Sequence, residues 1–441
     1  MRSSMRGFAQ QEIRLAERRI EEAGASENPG VRTALLATYL TWLQAGRPND
    51  HVVLRGLLPH AAWRQGPLAL ERQKRAFGLA FPSGTRTMAR AQVKTARAPK
   101  RTASGILPSQ AIEALIEAGQ VKLVEPLLPE QLQPASLDLR LGTIAYRVRA
   151  SFLPGRGEKV SGKLDDLQMH TISLSQGAVL ETGCVYVAPL LESLTLPDDL
   201  SAATNPKSST GRLDVFTRVI ADGVSAFDQI SAGYSGQLFA EICPQTFPVV
   251  VRKGSRLSQI RFRAGGGSEA DPVGDVPLSV DLTGDAQGLV GYRAKRHTGV
   301  VDVDVVGACA MLDYWEPIHV RDKKRLVLDP DQFYILASKE AVQVPPTQAA
   351  EMVPFNPLVG EFRVHYAGFF DPGFGHAEAG GAGAKAVLEV RSHKVPFILE
   401  DGQTIGRLIY ERLTETPKLV YGRDLSSHYQ AQGLKLSKHF R

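Results

Sequence analysis

Two features of the sequence could do chemistry. The string Lys207-Ser-Ser-Thr-Gly-Arg212 places two cations and two serine hydroxyls within six residues. A triphosphate calls for such a set, because its oxygens accept charge-assisted hydrogen bonds from several directions. Downstream, Glu241 sits in the alternating run Leu238-Phe-Ala-Glu-Ile-Cys243, with apolar neighbours on both sides. An apolar setting lifts a carboxyl pKa toward neutrality, where one group can both take and give a proton. Taken singly, each has a plainer reading. A Lys-Ser-Ser string is more often a solvated turn, and a strand glutamate more often half of a salt bridge. Cys184, Cys243 and Cys309 stand far apart with no CxxC pair. That fits reduced thiols in a cytoplasm and offers neither a disulfide framework nor a cysteine zinc site.

The elements that must position these groups are strands. From Gly105 onward, β-type runs separated by Gly, Pro, Asp and Asn follow one another at 136–141, 184–188, 237–242, 248–252, 257–262, 301–306, 333–336, 386–390 and 405–410. Strands at this density indicate a β-barrel or sandwich. A short amphipathic helix precedes them over 109–119, with Ile112, Leu115 and Ile116 on one face and Ser109 as its N-cap.

The pattern also repeats. Tyr186, Pro197, Ala202 and Pro206 recur 148 residues later as Tyr334, Pro345, Ala350 and Pro354. At the same offset, Glu241, Pro248, Gly254 and Phe262 match Glu389, Pro396, Gly402 and Tyr410. Between these blocks, Gly233-Tyr-Ser-Gly236 pairs with Gly373-Phe-Gly375 at an offset of 140, so the second copy carries an eight-residue insertion, most simply 377–384. Two copies of one β-domain is the economical explanation. The expected architecture is all-β, with a first domain over 105–285 and a second over 286–441.

Residues 1–104 differ in character. They hold helical patterns over 11–22 and 31–43, then a stretch at 86–104 rich in Arg, Lys, Ala and Thr that reads as a disordered basic linker. Residues 1–101 carry 18 Lys/Arg against 7 Asp/Glu, and the remainder 34 against 39. The net charge of +6 therefore belongs to the extension, and nucleic-acid binding is not expected of the rest. Met88 opens a shorter frame, so 1–87 reads as a weakly ordered extension or an artefact of start-site choice. No apolar run of about 18 residues is present to span a membrane, and no secretory signal is recognisable.

In order along the chain stand Gln133-Pro-Ala-Ser-Leu-Asp-Leu-Arg-Leu-Gly142, the 207–212 string, Gly233-Tyr-Ser-Gly236, Phe239-Ala-Glu241, Lys253-Gly-Ser-Arg-Leu-Ser-Gln259 and Tyr421-Gly-Arg-Asp-Leu-Ser-Ser-His-Tyr-Gln-Ala-Gln432. This series resembles the dCTP deaminase branch of the dUTPase-like superfamily, over roughly 105–263 and more weakly over 300–441. The resemblance implies a distorted jelly-roll β-barrel in each copy. It implies zinc-free hydrolytic deamination of dCTP to dUTP and ammonia, supplying dUTP for dUMP and dTTP synthesis. It also implies a cytoplasmic homotrimer with sites between neighbouring subunits, and inhibition by dTTP or dUTP. Glu241 becomes the proton-transfer group, with Ser208 and Arg212 bordering the base and holding the attacking water. Lys207, Ser209, Thr210 and Gly211 fall to the triphosphate, Phe239 and Ala240 to the pocket beside the glutamate. Tyr421, His428 and Gln432 belong to a tail that closes over the nucleotide. Mg2+ is implied only as a companion of the triphosphate, and the H-x-E and P-C-x-x-C signature of zinc deaminases does not occur. The rival readings are a dUTP pyrophosphatase, a bifunctional enzyme forming dUMP, and a non-catalytic nucleotide-binding regulator.

The match departs at one turn. The family's aspartate for the sugar 3′-hydroxyl is replaced by Ser231 in the first copy, where Asp228 stands three residues earlier as a substitute. The second copy keeps it, as Asp371-Pro-Gly-Phe-Gly375, but has Asn356-Pro-Leu-Val-Gly-Glu361 in place of Ser-Ser-x-x-Arg. A composite site is expected, with Glu241, Ser208 and Arg212 from the first copy and Tyr421, His428 and Gln432 from the tail. Glu389 is then a retained structural carboxylate.

Overall fold

A computed structural model describes residues 104–265, 272–319, 324–354, 362–365, 368–392, 394–424 and 433–441. The helical patterns at 11–22 and 31–43, the basic stretch up to 103, the segment 356–361, His428 and Gln432 lie outside the described residues.

The first copy contributes strands β1 (Ser136–Arg140), β2 (Ile144–Val148), β3 (Gln168–Ser173), β4 (Val185–Thr195), β5 (Leu200–Pro206), β6 (Val215–Ala221), β7 (Ser235–Pro244) and β8 (Arg256–Ala264). The second contributes β9 (Pro272–Ser279), β10 (Leu289–Ala294), β11 (Trp315–His319), β12 (Phe333–Val342), β13 (Gln348–Pro354), β14 (Phe362–His365), β15 (Ala384–Ser392) and β16 (Thr404–Arg412). One sheet of the first copy runs β6-β7-β4-β2-β3, and its counterpart in the second runs β14-β15-β12-β10-β11. The facing sheets run Gln229–Ile230, β5, β8, β1 and, in the same sense, Phe369–Phe370, β13, β16, β9. Strand for strand, the two copies share one topology, as the repeat implies.

Among the described residues, four short α-helices interrupt the sheets: α1 (Ser109–Glu117), α2 (Val160–Leu167), α3 (Ser208–Gly211) and α4 (Met311–Tyr314). Ile112 and Leu115 of α1 are buried, as their spacing implies. Ser109 does not cap the helix. Pro108 holds that position, and Ser109 is the first helical residue, its amide donating to the Pro134 carbonyl (2.8 Å).

Two other expectations shift. Residues 272–279 pair with β16 from Gly274↔Tyr410 to Leu278↔Gly406, so they belong to the second copy rather than to a first domain reaching 285. Their partner lies far downstream, where local pattern does not reveal it. The run at 301–306 forms a strand only over Val301–Asp302. Beyond it, the Asp302 and Asp304 carboxylates turn to Arg252 (2.7 and 3.2 Å) instead of continuing the ladder.

The cores explain how the copies join. Leu238, Ala240 and Ile242 of β7 point into the first core, and Ala386, Leu388 and Val390 of β15 into the second. On its opposite face, β15 buries Val387 and Glu389. Val387, with Trp315, Phe333 and Ile335, packs into the first copy's hydrophobic cluster. Polar contacts flank this apolar seam. Arg263 grips Glu411 through two hydrogen bonds of 2.8 Å, and Asn205 Nδ2 donates to Glu351 Oε1 (3.1 Å).

Candidate active site

The Lys207–Arg212 string forms a tight turn at the end of β5. Lys207 is extended (φ −65°, ψ 146°), and its carbonyl accepts from the amides of Thr210 (2.8 Å) and Gly211 (3.0 Å), winding α3. Ser209, Thr210, Gly211 and Arg212 are buried, while Lys207 and Ser208 are partly open. Lys207 Nζ pairs with Asp138, and Arg256 Nη1 lies 3.4 Å from the same carboxylate. The string is therefore not a solvated turn.

Arg212 does not point to its own copy's glutamate. Its Nε lies 3.9 Å from Glu389 Oε1, with both side chains about 95% buried (4% and 5% exposed). Burial pushes the Glu389 carboxyl up to about 8, against the pull of the Arg212 guanidinium. A carboxyl poised there is half-ionised just above neutral pH, as an acid–base catalyst requires.

Glu241 sits elsewhere. In β7 it is paired in register with Arg218 of β6 and Val187 of β4. Ser151 Oγ donates to Glu241 Oε1 (3.0 Å), and the Phe152 amide also favours the ionised form. Burial raises this carboxyl too, with Arg218 as its nearby cation. Ser151 and Phe152 belong to the excursion between β2 and β3 that carries α2. Val160 and Leu164 of that helix cover Phe239, Val187 and Ile220. Phe239 is thus sealed under α2, and Ala240 lies in the first core. Neither lines the surroundings of Arg212. Their equivalents at an offset of 148 are Val387 and Leu388, and Val387 faces the first copy beside Glu389.

Asp228 is not free to meet a sugar hydroxyl. Its carboxylate accepts from Thr204 Oγ1 (2.8 Å), the Val219 amide (2.8 Å) and Arg218 Nη1 (2.7 Å). With a left-handed backbone (φ 61°), it is the clasp of its own loop.

Asp371 opens the turn that the second copy retains. Its Oδ1 lies 3.5 Å from Arg261 Nη2, and Lys207 also pulls against the burial that raises its pKa. Arg261 is held by the Ala350 carbonyl (3.0 Å) and the Phe369 ring (4.1 Å to its centroid). The tail locks onto this turn. The Tyr421 amide donates to the Pro372 carbonyl (2.9 Å), and its ring lies 5.8 Å from Phe374. A side chain at Gly373 (φ 96°) would come within 2.9 Å of the Tyr421 carbonyl oxygen, so glycine is required there.

The structure brings together Lys207, Ser209 and Arg212 from the first copy with Asp371 and Glu389 from the second. Glu241, Phe239, Ala240 and Asp228 stand in a separate group. The sequence shows only that the retained aspartate turn leads into the strand that carries Glu389; that Arg212 faces Glu389 rather than Glu241 is visible in the fold alone.

Comparison with known proteins matches two family models in succession along the chain. Residues 103–266 match the family model of the 2′-deoxycytidine 5′-triphosphate deaminase N-terminal domain, and 265–440 that of its C-terminal domain. A dCTP deaminase of Haloarcula marismortui is 30% identical over 198 residues, covering 44% of this chain and 95% of that protein. The chain belongs to the dCTP deaminase family. Another family member, the dUMP-forming dCTP deaminase of Nocardioides sp., is 30% identical over 158 residues, 36% of this chain and 78% of its own. The crystal structure of 2′-deoxycytidine 5′-triphosphate deaminase from Agrobacterium tumefaciens aligns with a TM-score of 0.67 and 59% identity, covering 70% of this chain and 99% of that one. No described helix is long and apolar enough to cross a membrane.

Proposed function

We propose that the chain deaminates dCTP to dUTP and ammonia at a composite site, with Glu389 of the second copy working against Arg212 of the first. The observation that carries this reading is the buried Arg212–Glu389 contact at 3.9 Å. Glu389 takes a proton from water as its oxygen attacks C4 of the cytosine. Glu389 passes that proton to the ring nitrogen; it then carries the proton of the new C4 hydroxyl to the amine, so that C4=O forms as the C4–N bond breaks and ammonia departs. Arg212 and Ser208 border the water and the base, and Asp371 meets the sugar. Lys207, Ser209, Thr210 and Gly211 take the phosphates, whose charge calls for several fixed donors. Tyr421 anchors the tail beside the sugar turn.

Mg2+ bound together with the triphosphate would be held chiefly by phosphate oxygens and water and would offset part of their charge. The cations beside α3, Lys207 and Arg256, suit the phosphate oxygens rather than the ion, and both face Asp138, whose Oδ1 is buried without a hydrogen bond among the described residues. Association into a homotrimer, inhibition by dTTP or dUTP and a cytoplasmic location are carried into the proposal from the family resemblance. Because relatives include dUMP-forming enzymes, the deciding experiment resolves every product. Purified protein is incubated with dCTP, and dUTP, dUMP and ammonia are quantified. Ammonia with dUTP is expected; dUMP in its place assigns the bifunctional reaction, and absence of ammonia rejects deamination.

A further inference from the structure

The last eight residues belong to none of the motifs, yet they lie against the active-site turn. Leu434–Arg441 is fixed to the excursion between β10 and β11 of the second copy. The amides of Gly307 and Cys309 donate to the carbonyls of Lys438 and His439, and the Arg441 amide to that of Cys309, each at 3.0 Å. Phe440 sits among Phe247, Tyr314 and Trp315, with ring centroids 6.1, 5.4 and 5.7 Å away. From this anchored ribbon, two contacts reach the turn. Ser437 Oγ donates to the Ser209 carbonyl (2.7 Å), and Arg212 Nη1 donates to the Lys435 carbonyl (3.1 Å).

His439 completes the connection. Its Nε2 faces the Val303 carbonyl (2.9 Å), which can only accept, so Nε2 carries the proton. Burial, with Lys438 beside it, keeps the ring neutral against the pull of that carbonyl and of Asp304 and Asp302. Nδ1 therefore accepts, at 2.9 Å from Ser437 Oγ, and the serine proton is shared between His439 and the Ser209 carbonyl. A four-residue helix has too few internal bonds to hold its own shape. A long arginine side chain also keeps its rotamer freedom unless fixed acceptors remove it.

We infer that the ribbon is a positioning device for the reaction: Ser437 and the Lys435 carbonyl fix Ser209 and Arg212 so that the guanidinium stays against Glu389. The inference rests on reading Glu389 and Arg212 as the reacting pair. Loosening the ribbon lets Arg212 withdraw, and its pull on the Glu389 carboxyl weakens. The acid limb of the kcat/KM profile must then move to higher pH, which loss of stability alone does not produce.

The test compares pH profiles of dCTP deamination and melting temperatures for the full-length wild type, Ser437→Ala and Ser437→Thr. Ser437→Ala should lose about tenfold in kcat/KM, as expected for a slightly misplaced catalytic group, and its acid limb should shift upward. Ser437→Thr retains the hydroxyl and should restore both. If the alanine variant does not accumulate folded, Ser437→Cys, which keeps the volume with a weaker donor, takes its place. An acid limb that superimposes on wild type, whatever happens to kcat/KM or melting temperature, overturns the inference. Absence of ammonia from wild type would instead reject the deaminase reading, so the two failures are distinguishable.

Discussion

Glu389 holds its proton far more tightly in the folded chain than a carboxyl in water does. The ordinary value of 4.5 is raised to about 8 because ionisation would leave a buried charge that one guanidinium at 3.9 Å only partly offsets. The sign of the linkage follows. Between those values the folded chain binds a proton that the unfolded chain has released. The stabilisation is fully present below 4.5 and is lost as pH rises through about 8. Glu389→Gln, isosteric and always neutral, should melt close to wild type at pH 5 and clearly above it at pH 9. Equal melting temperatures at pH 9 would show that the carboxylate is not strained by burial. At this scale the sequence was partly legible. Ser208, Arg212 and Asp371 stood out by motif, because their types and spacing are local facts. The choice between Glu241 and Glu389 was not, since both occupy the same strand position with apolar neighbours. Only the fold shows which of them Arg212 faces.

At the scale of elements, β7 and β15 are the same strand in two copies with different covers. The outer face of β15 is closed by the first copy, which brings Arg212 to Glu389. The outer face of β7 is closed by its own copy, through Ser151, Phe152 and α2. The Glu241 carboxyl is thus held under its own copy's cover, with Oε1 taken by Ser151 and Oε2 buried without a hydrogen bond among the described residues. One nucleotide per chain follows. Titrating dCTP into the Glu389→Gln protein by calorimetry should give a stoichiometry of one, and two would contradict the closed face. The strands themselves were legible, because short β-type runs between turn residues carry their period in the sequence. The helix α2 was not, since Val160 and Leu164 are its only buried residues and one apolar pair does not mark a helix.

At the scale of the molecule, the proposed site makes unlike halves of two similar domains. The first copy gives it the phosphate turn, and the second gives it the aspartate turn and Glu389. The seam between them is fixed on both flanks. Arg261 and Arg263 of β8 reach Asp371 and Glu411, and Arg391 of β15 pairs with Asp214 beyond α3. With Arg391 two residues from Glu389 and Asp214 two from Arg212, that last pair sets the strand and the turn in register. The repeat announced two domains, and the split of motifs announced a shared site. Neither states which face of one copy meets the other, because that is settled by side chains far apart in sequence, such as Val387 against the first core. The most direct measurement is ammonia release from dCTP by Glu389→Gln and Glu241→Gln, each confirmed folded. The composite site predicts a loss of about 10²–10⁴-fold for Glu389→Gln, the usual scale for removing a general acid–base group, and activity within a few-fold of wild type for Glu241→Gln. Loss of activity in Glu241→Gln with Glu389→Gln intact would contradict it.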